Sequence, residues 1–145
     1  MKQQHTVGKQ GQGLAADALT RLGVEMVEKI GTPVIMIPKG TVHSVPVFQI
    51  IFEEKVSGDH RGTLQGGRGV LAETKTILDR NLRYSDLRPH QPERLSEHDL
   101  LGGLALLVWV HSSGVYVMQW PIRGFISGTS ITPEQAEILA ITERL

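Results

Sequence analysis

The chain has 145 residues, 40% of them hydrophobic, with 15 Lys and Arg balanced by 15 Asp and Glu and no cysteine. That length and apolar share suit one globular domain with a buried core and disfavour a second. The lack of cysteine excludes a disulfide framework and a thiolate zinc site, and with no apolar leader and no apolar run near roughly eighteen residues the sequence predicts a cytoplasmic protein without a membrane span.

Residues 1–12 are rich in Gln, Lys and Gly and read as a flexible arm, leaving 13–145 as the single domain. From Gly13 to Ile30 the apolar positions Leu14, Ala18, Leu22, Val27 and Ile30 recur at helical spacing, with Gly31 as the stop. Asp17, one turn into that helix, reads either as an acid complementing the helix dipole or as a carboxylate aimed at a metal. Thr32 to Pro38 is a β-branched run bracketed by prolines, hence a short strand, and Val45 to Val56 is a longer extended run. Thr76 to Arg88 is polar and Arg-rich, a loop with a remnant of strand. A helix follows from about Pro92 to Leu101, stopped by Gly102 and Gly103. Leu104 to His111 is continuously apolar, as a strand buried on both faces must be, and Val115 to Trp120 is its hairpin partner. Thr132, Pro133 and Glu134 open a last helix that runs to about Arg144. The order predicts an α/β domain with a mixed central sheet flanked by helices.

The stretch that carries chemistry is Asp59 to Lys75. An acid beside a Gly-rich turn is followed by Glu73-Thr74-Lys75 at the end of an apolar run, Val70 to Ala72. Side chains alternate along a strand, so Glu73 and Lys75 share a face, and Asp59 on the neighbouring strand of a hairpin meets Glu73 across the sheet. Two converging carboxylates make a hard oxygen site suited to magnesium, with the Lys75 ammonium one step beyond to orient water or stabilise charge on a phosphate. The bland alternative is a solvated cross-strand charge group. His60, His90 and His98 are further candidate ligands, although none of them forms an i, i+4 pair. Net charge is zero, yet from His60 to Arg94 there are seven Lys and Arg against four acids, so a basic face beside the motif is expected on a neutral chain.

In the order of these features the sequence resembles a RecU-type or Hjc-type Holliday-junction resolvase of the PD-(D/E)xK nuclease superfamily, and a small phage member in particular. The resemblance runs from about Gly13 to Trp120. It rests on Gly13-Leu-Ala-Ala-Asp17 on the first helix, Asp59-His-Arg-Gly62 in a turn, Glu73-Thr-Lys75 on the next strand, and His90-Gln91 opening a helix before a long apolar strand. It departs from the family in carrying Asp17 where the family has Glu, in the turn spacing around Gly66 to Gly69, and in a shorter stalk-like strand pair.

The resemblance implies a restriction-endonuclease-like fold and a structure-selective endonuclease that resolves four-way DNA junctions by paired nicks. It implies that Asp59, Glu73 and the Thr74 carbonyl hold Mg2+, with Mn2+ as a substitute, and that Lys75 and Gln91 position the nucleophile. Asp17 stands as a further catalytic candidate, and Arg61, Arg68 and His90 as DNA contacts. Two alternatives stay open: a sequence-specific or end-processing nuclease of the same superfamily, and a non-catalytic DNA-binding subunit. Paired nicks need two sites, so the expected state is a homodimer, with the alternating Phe48, Ile50 and Phe52 as its apolar surface.

Overall fold

The structure, a computed structural model, describes the backbone of residues 2–31, 34–52 and 59–145, and side chains for 9–31, 36–49 and 59–145. The elements are α1 (Lys2–Arg21), β1 (Glu25–Lys29), β2 (Val34–Val42), β3 (Val45–Phe52), β4 (His60–Thr63), β5 (Gly69–Thr76), β6 (Leu82–Arg83), a 3-10 turn (Tyr84–Asp86), α2 (His90–Leu100), β7 (Leu104–His111), β8 (Gly114–Gln119), β9 (Ser130–Ile131) and α3 (Pro133–Leu139). Five strands form one sheet in the order β1-β4-β5-β7-β8. Only β5 and β7 pair in parallel among them, and α2 makes the crossover between the two. This is the mixed central sheet flanked by helices that the element order predicts.

Alternation along β7 divides the core into two layers. Leu104, Leu106 and Val108 pack with Ala15, Ala18 and Leu19 of α1, whereas Ala105, Leu107 and Trp109 pack with Leu95 of α2 and Ala136 of α3. Every residue from Leu104 to Val110 is buried, which is why this strand shows no polar alternation in the sequence. Trp109, the bulkiest fully buried side chain, keeps its indole N–H satisfied by donating to the Ile77 carbonyl at 2.9 Å.

The first helix differs from the expectation at both ends. Residues 2–12, expected as a flexible arm, belong to α1, and the helix expected to reach Ile30 stops at Arg21. Gly23, at φ +96°, supplies the left-handed residue that ends it: the Gly23 N–H donates to the Thr20 carbonyl at 3.0 Å and the Val24 N–H to the Leu19 carbonyl at 3.1 Å. These are the paired bonds of a Schellman stop, and they release the chain into the edge strand β1, Glu25–Lys29. Of the positions that continue the helical spacing, Leu22 lies in the turn after α1, Val27 on β1 and Ile30 just past it.

Strands β2 and β3 form a separate antiparallel hairpin that leaves the sheet between β1 and β4. Its two-residue turn is His43-Ser44, with φ of +49° and +63°, the primed geometry that matches the twist of a hairpin. Thr32, Pro33 and residues 53–56, the outer parts of the two expected strands, lie outside the described residues. The last helix ends at Leu139 instead of about Arg144, because Ala140 turns extended and the chain bonds to β8, with the Ile141 N–H donating to the Val117 carbonyl at 2.8 Å. Its start is as expected: Thr132 Oγ1 accepts the Gln135 N–H and the Gln135 side chain returns the bond.

Gly11 is where α1 crosses β5. A Cβ at this position would come within 2.0 Å of Thr76 Oγ1, so the helix sits this close only because the residue has no side chain. Gly11→Ala should therefore destabilise the fold by about 1–3 kcal/mol in urea denaturation, outweighing the gain in helix propensity of roughly 1 kcal/mol. Combining it with Thr76→Ala should recover most of the loss, and no recovery would show that the contact is not the cause.

Candidate functional site

Strand β5 delivers Glu73 and Lys75 to the α2 side of the sheet. Val70 and Ala72 belong to the α1 layer while Leu71 packs against the α2 layer, so alternation places Glu73 and Lys75 with Leu71. The β4–β5 register pairs His60 with Ala72, which sets Asp59, the next residue outward, across from Glu73. Asp59 is fixed through its backbone, donating its N–H to the Ala72 carbonyl at 2.9 Å and accepting the Ile30 N–H at 2.9 Å. Its Oδ2 accepts the Thr74 N–H at 2.7 Å. In extended backbone the N–H and C=O of one residue point to the same flank, so the Thr74 carbonyl is directed to the side on which Asp59 lies.

Glu73 is only 3% exposed. A carboxylate so far from water needs partners, and two are in place. Gln91, in the first turn of α2, donates Nε2–H to Glu73 Oε1, and Lys75 Nζ lies 4.0 Å from the same oxygen. The orientation of the Gln91 amide follows from its other end, where Oε1 accepts the Arg88 N–H at 2.8 Å. Burial pushes the Lys75 ammonium below the ordinary lysine value, opposed by the nearby carboxylates of Glu73 and Asp59. Arg88 pushes in the same direction as burial, and Asp86 against it.

Four of the expected site residues, Asp59, Glu73, Lys75 and Gln91, thus lie together with the Thr74 backbone. Others do not join them. Asp17 is exposed on α1, the helix that covers the opposite face of the sheet, and among the described residues no three His, Asp or Glu side chains are grouped to hold one metal ion. Arg68, expected to flank the site, stands just before the far end of β5, roughly 16 Å of extended chain before Glu73. Its guanidinium is used there, donating to the carbonyls of Gly102 and Gly103, both at 3.1 Å. Arg61 is exposed and pairs with Glu28 at 3.4 Å across β1 and β4.

The histidines also separate. His90 opens α2 and is half-buried, His98 meets the Gly69 carbonyl at 3.1 Å away from the carboxylates, and His60 is buried on the α1 side. Burial pushes the His60 imidazole down, against the raising effect of Asp59, and its Nδ1 has no hydrogen-bond partner among the described residues.

Sequence reasoning missed what holds Arg88 and the start of α2 in place. Arg80 grips Asp86 through both guanidinium nitrogens, at 2.8 and 2.7 Å, and Asp86 also accepts the Arg83 N–H at 2.7 Å. The six-residue gap between Arg80 and Asp86 fits no helical or strand pairing rule, so it carried no signal. No protein-family model matches the sequence, and no curated protein matches it significantly. Among the described residues no helix is long and apolar enough to cross a membrane.

The hydrogen bond from Arg80 holds the Asp86 carboxyl below the usual range. A group whose pKa is lowered by folding stabilises the fold above its ordinary pKa, and that contribution is lost as pH falls through the folded value. Asp86→Asn should therefore cost stability at neutral pH, and the gap to wild type should shrink below about pH 4. Urea denaturation of both proteins at pH 7 and pH 3 checks this, and a gap that widens in acid contradicts it.

Proposed function

We propose that this chain is a magnesium-dependent endonuclease of the PD-(D/E)xK type that cuts branched DNA, with the four-way junction as substrate. The observation that carries the reading is the union of Asp59 and Glu73 on adjacent strands with Lys75 and Gln91 beside them, from positions up to 32 residues apart in the chain. A solvated charge group has no need to bury Glu73 or to spend a glutamine on it.

The donors fit the ion. Asp59, Glu73 and the Thr74 carbonyl offer oxygen alone, and magnesium is commonly held by one or two protein carboxylates with water completing its shell. When bound, the ion supplies charge neutralisation at the scissile phosphate and acidifies the attacking water, and manganese would serve in its place. The side chains do the rest. Lys75, largely withdrawn from solvent beside Glu73, would stabilise the charge that builds on a phosphate during in-line displacement. Gln91 holds Glu73 in one orientation and keeps the first turn of α2 against the site. Arg88, which acts on Lys75, would contact the DNA backbone beside the site, and Arg61 and His90 would contact it farther out.

Resolution of a four-way junction needs two like nicks, hence two copies of one site. The β2–β3 hairpin offers a contact surface: Met36 is 57% and Phe48 46% exposed, and among the described residues its strands pair only with each other. Ile50 and Phe52, expected to extend that surface, have side chains outside the described residues. A two-fold contact there would set the two sites at a fixed spacing.

Glu73→Gln should abolish cleavage of a synthetic four-way junction in magnesium while leaving its binding near the wild-type level. Lys75→Ala should depress the single-turnover rate far more than affinity, because one phosphate contact is a small part of the electrostatic total. Either variant cutting at the wild-type rate removes its residue from the site, and a wild-type protein that binds junctions without cutting them is a binding subunit. Mixing wild-type chains with Asp59→Asn chains should yield protein that nicks one strand of a closed junction without resolving it. Complete resolution in proportion to the wild-type chains alone would count against the dimer.

A further inference from the structure

A groove of about 510 Å3 opens on the far side of the first turn of α2 from Glu73. Its walls are Tyr84, Leu87, Pro89 and Pro92, and Leu87, Pro89 and Pro92 are chain neighbours of Arg88 and Gln91. The Tyr84 ring is fixed edge-on against Phe125, with centroids 5.3 Å apart at 71°. Trp120 also lines the groove, its indole N–H donated to Ser96 Oγ at 2.9 Å. The polar groups are Ser85 and Ser96, and the one charged side chain among its lining residues is Glu93. Ser85 also borders a second, smaller hollow of about 240 Å3, lined by Arg83, Thr129 and Ser130.

We infer that this groove receives one nucleobase splayed out of the DNA near the cut, with the Arg83 hollow taking a neighbouring phosphate. The inference rests on the nuclease reading and adds to it a basis for choosing where to cut. A base needs flat apolar or aromatic surface for its faces and a hydrogen-bonding group at its edge, and proline and tyrosine rings with one carboxylate meet that need. The phosphates on either side of a base need cations, and the chain supplies Arg88 toward the carboxylates and Arg83 on the other flank. A branch point is where duplex stacking is already interrupted, so extruding a base there is least costly. The Glu93 carboxylate accepts hydrogen bonds, so it favours a base that presents two donor hydrogens, as guanine does at N1 and N2, over thymine with its single N3–H.

The test uses four-way junctions carrying a single abasic site at each nucleotide near the cut in turn. One position should slow single-turnover cleavage about tenfold, as loss of one base–aromatic stack implies. Ser85→Phe, which puts a ring into the groove from an exposed position, should impose the same slowing on the intact junction and lose nothing further on the abasic one. Glu93→Gln should reduce the discrimination against thymine at that position. A series that is flat at every position overturns the inference. Binding is read apart from cutting: saturating junction without divalent metal should quench tryptophan emission, to which Trp109 and Trp120 both contribute, in wild type and much less in Ser85→Phe. Quenching without cleavage in magnesium supports the groove and removes the nuclease reading, whereas cleavage without quenching does the reverse.

Discussion

A carboxylate that is 3% exposed in the middle of a sheet is the constraint from which much of this molecule follows. Glu73 cannot be left ionised beside Leu107 and Trp109 unless donors reach it, and the Gln91 amide is one of them. Gln91 must come from the crossover helix, which requires α2 to begin over the middle of β5. That in turn requires the segment between β5 and α2 to turn back on itself, and the Arg80–Asp86 fork, the Asp86–Arg83 bond and the Arg88–Gln91 bond hold it there. The partners that stabilise the buried acid are thus the residues that shape its surroundings.

The two layers have different duties. Alanines on α1 and the bare Gly11 let that helix lie close on the sheet, filling one face with packing alone. The other face is packed only beyond the carboxylates, where Leu95, Trp109 and Trp120 form its centre. A polar site survives between them because Glu73 and Lys75 belong to the central strand, yet β4 ends beside them at His60. The end of a strand frees the flank on which Asp59 and the Thr74 carbonyl meet.

How far the sequence shows this depends on the range of the interaction. The apolar run Val70 to Ala72, the unbroken apolar run of β7 and the Thr132 cap are local signals, and each corresponds to an element of the fold. Asp59 and Glu73 could be paired from spacing because a hairpin carries its register in its turn. The end of α1 was legible too, in Gly23, but five apolar residues at helical intervals outweighed it. Arg68 illustrates the opposite failure. Near Glu73 in sequence, it is distant in space because an extended strand covers more than 3 Å per residue. Asp17 fails for a different reason: a helix can be placed on the wrong face of a sheet without any change in its own periodicity.

Strands β1 and β4 are neighbours in the sheet, paired from Lys29 to His60, although the chain between them travels out along one strand and back along another. The hairpin is therefore an excursion that begins and ends at one rung of the ladder. Its length is topologically free: residues added or removed in opposing pairs along β2 and β3 change how far it projects without moving Asp59 against Glu73. Selection acting on what the hairpin touches and selection acting on the carboxylates can proceed as separate problems, with the Lys29–His60 pair as the boundary between them.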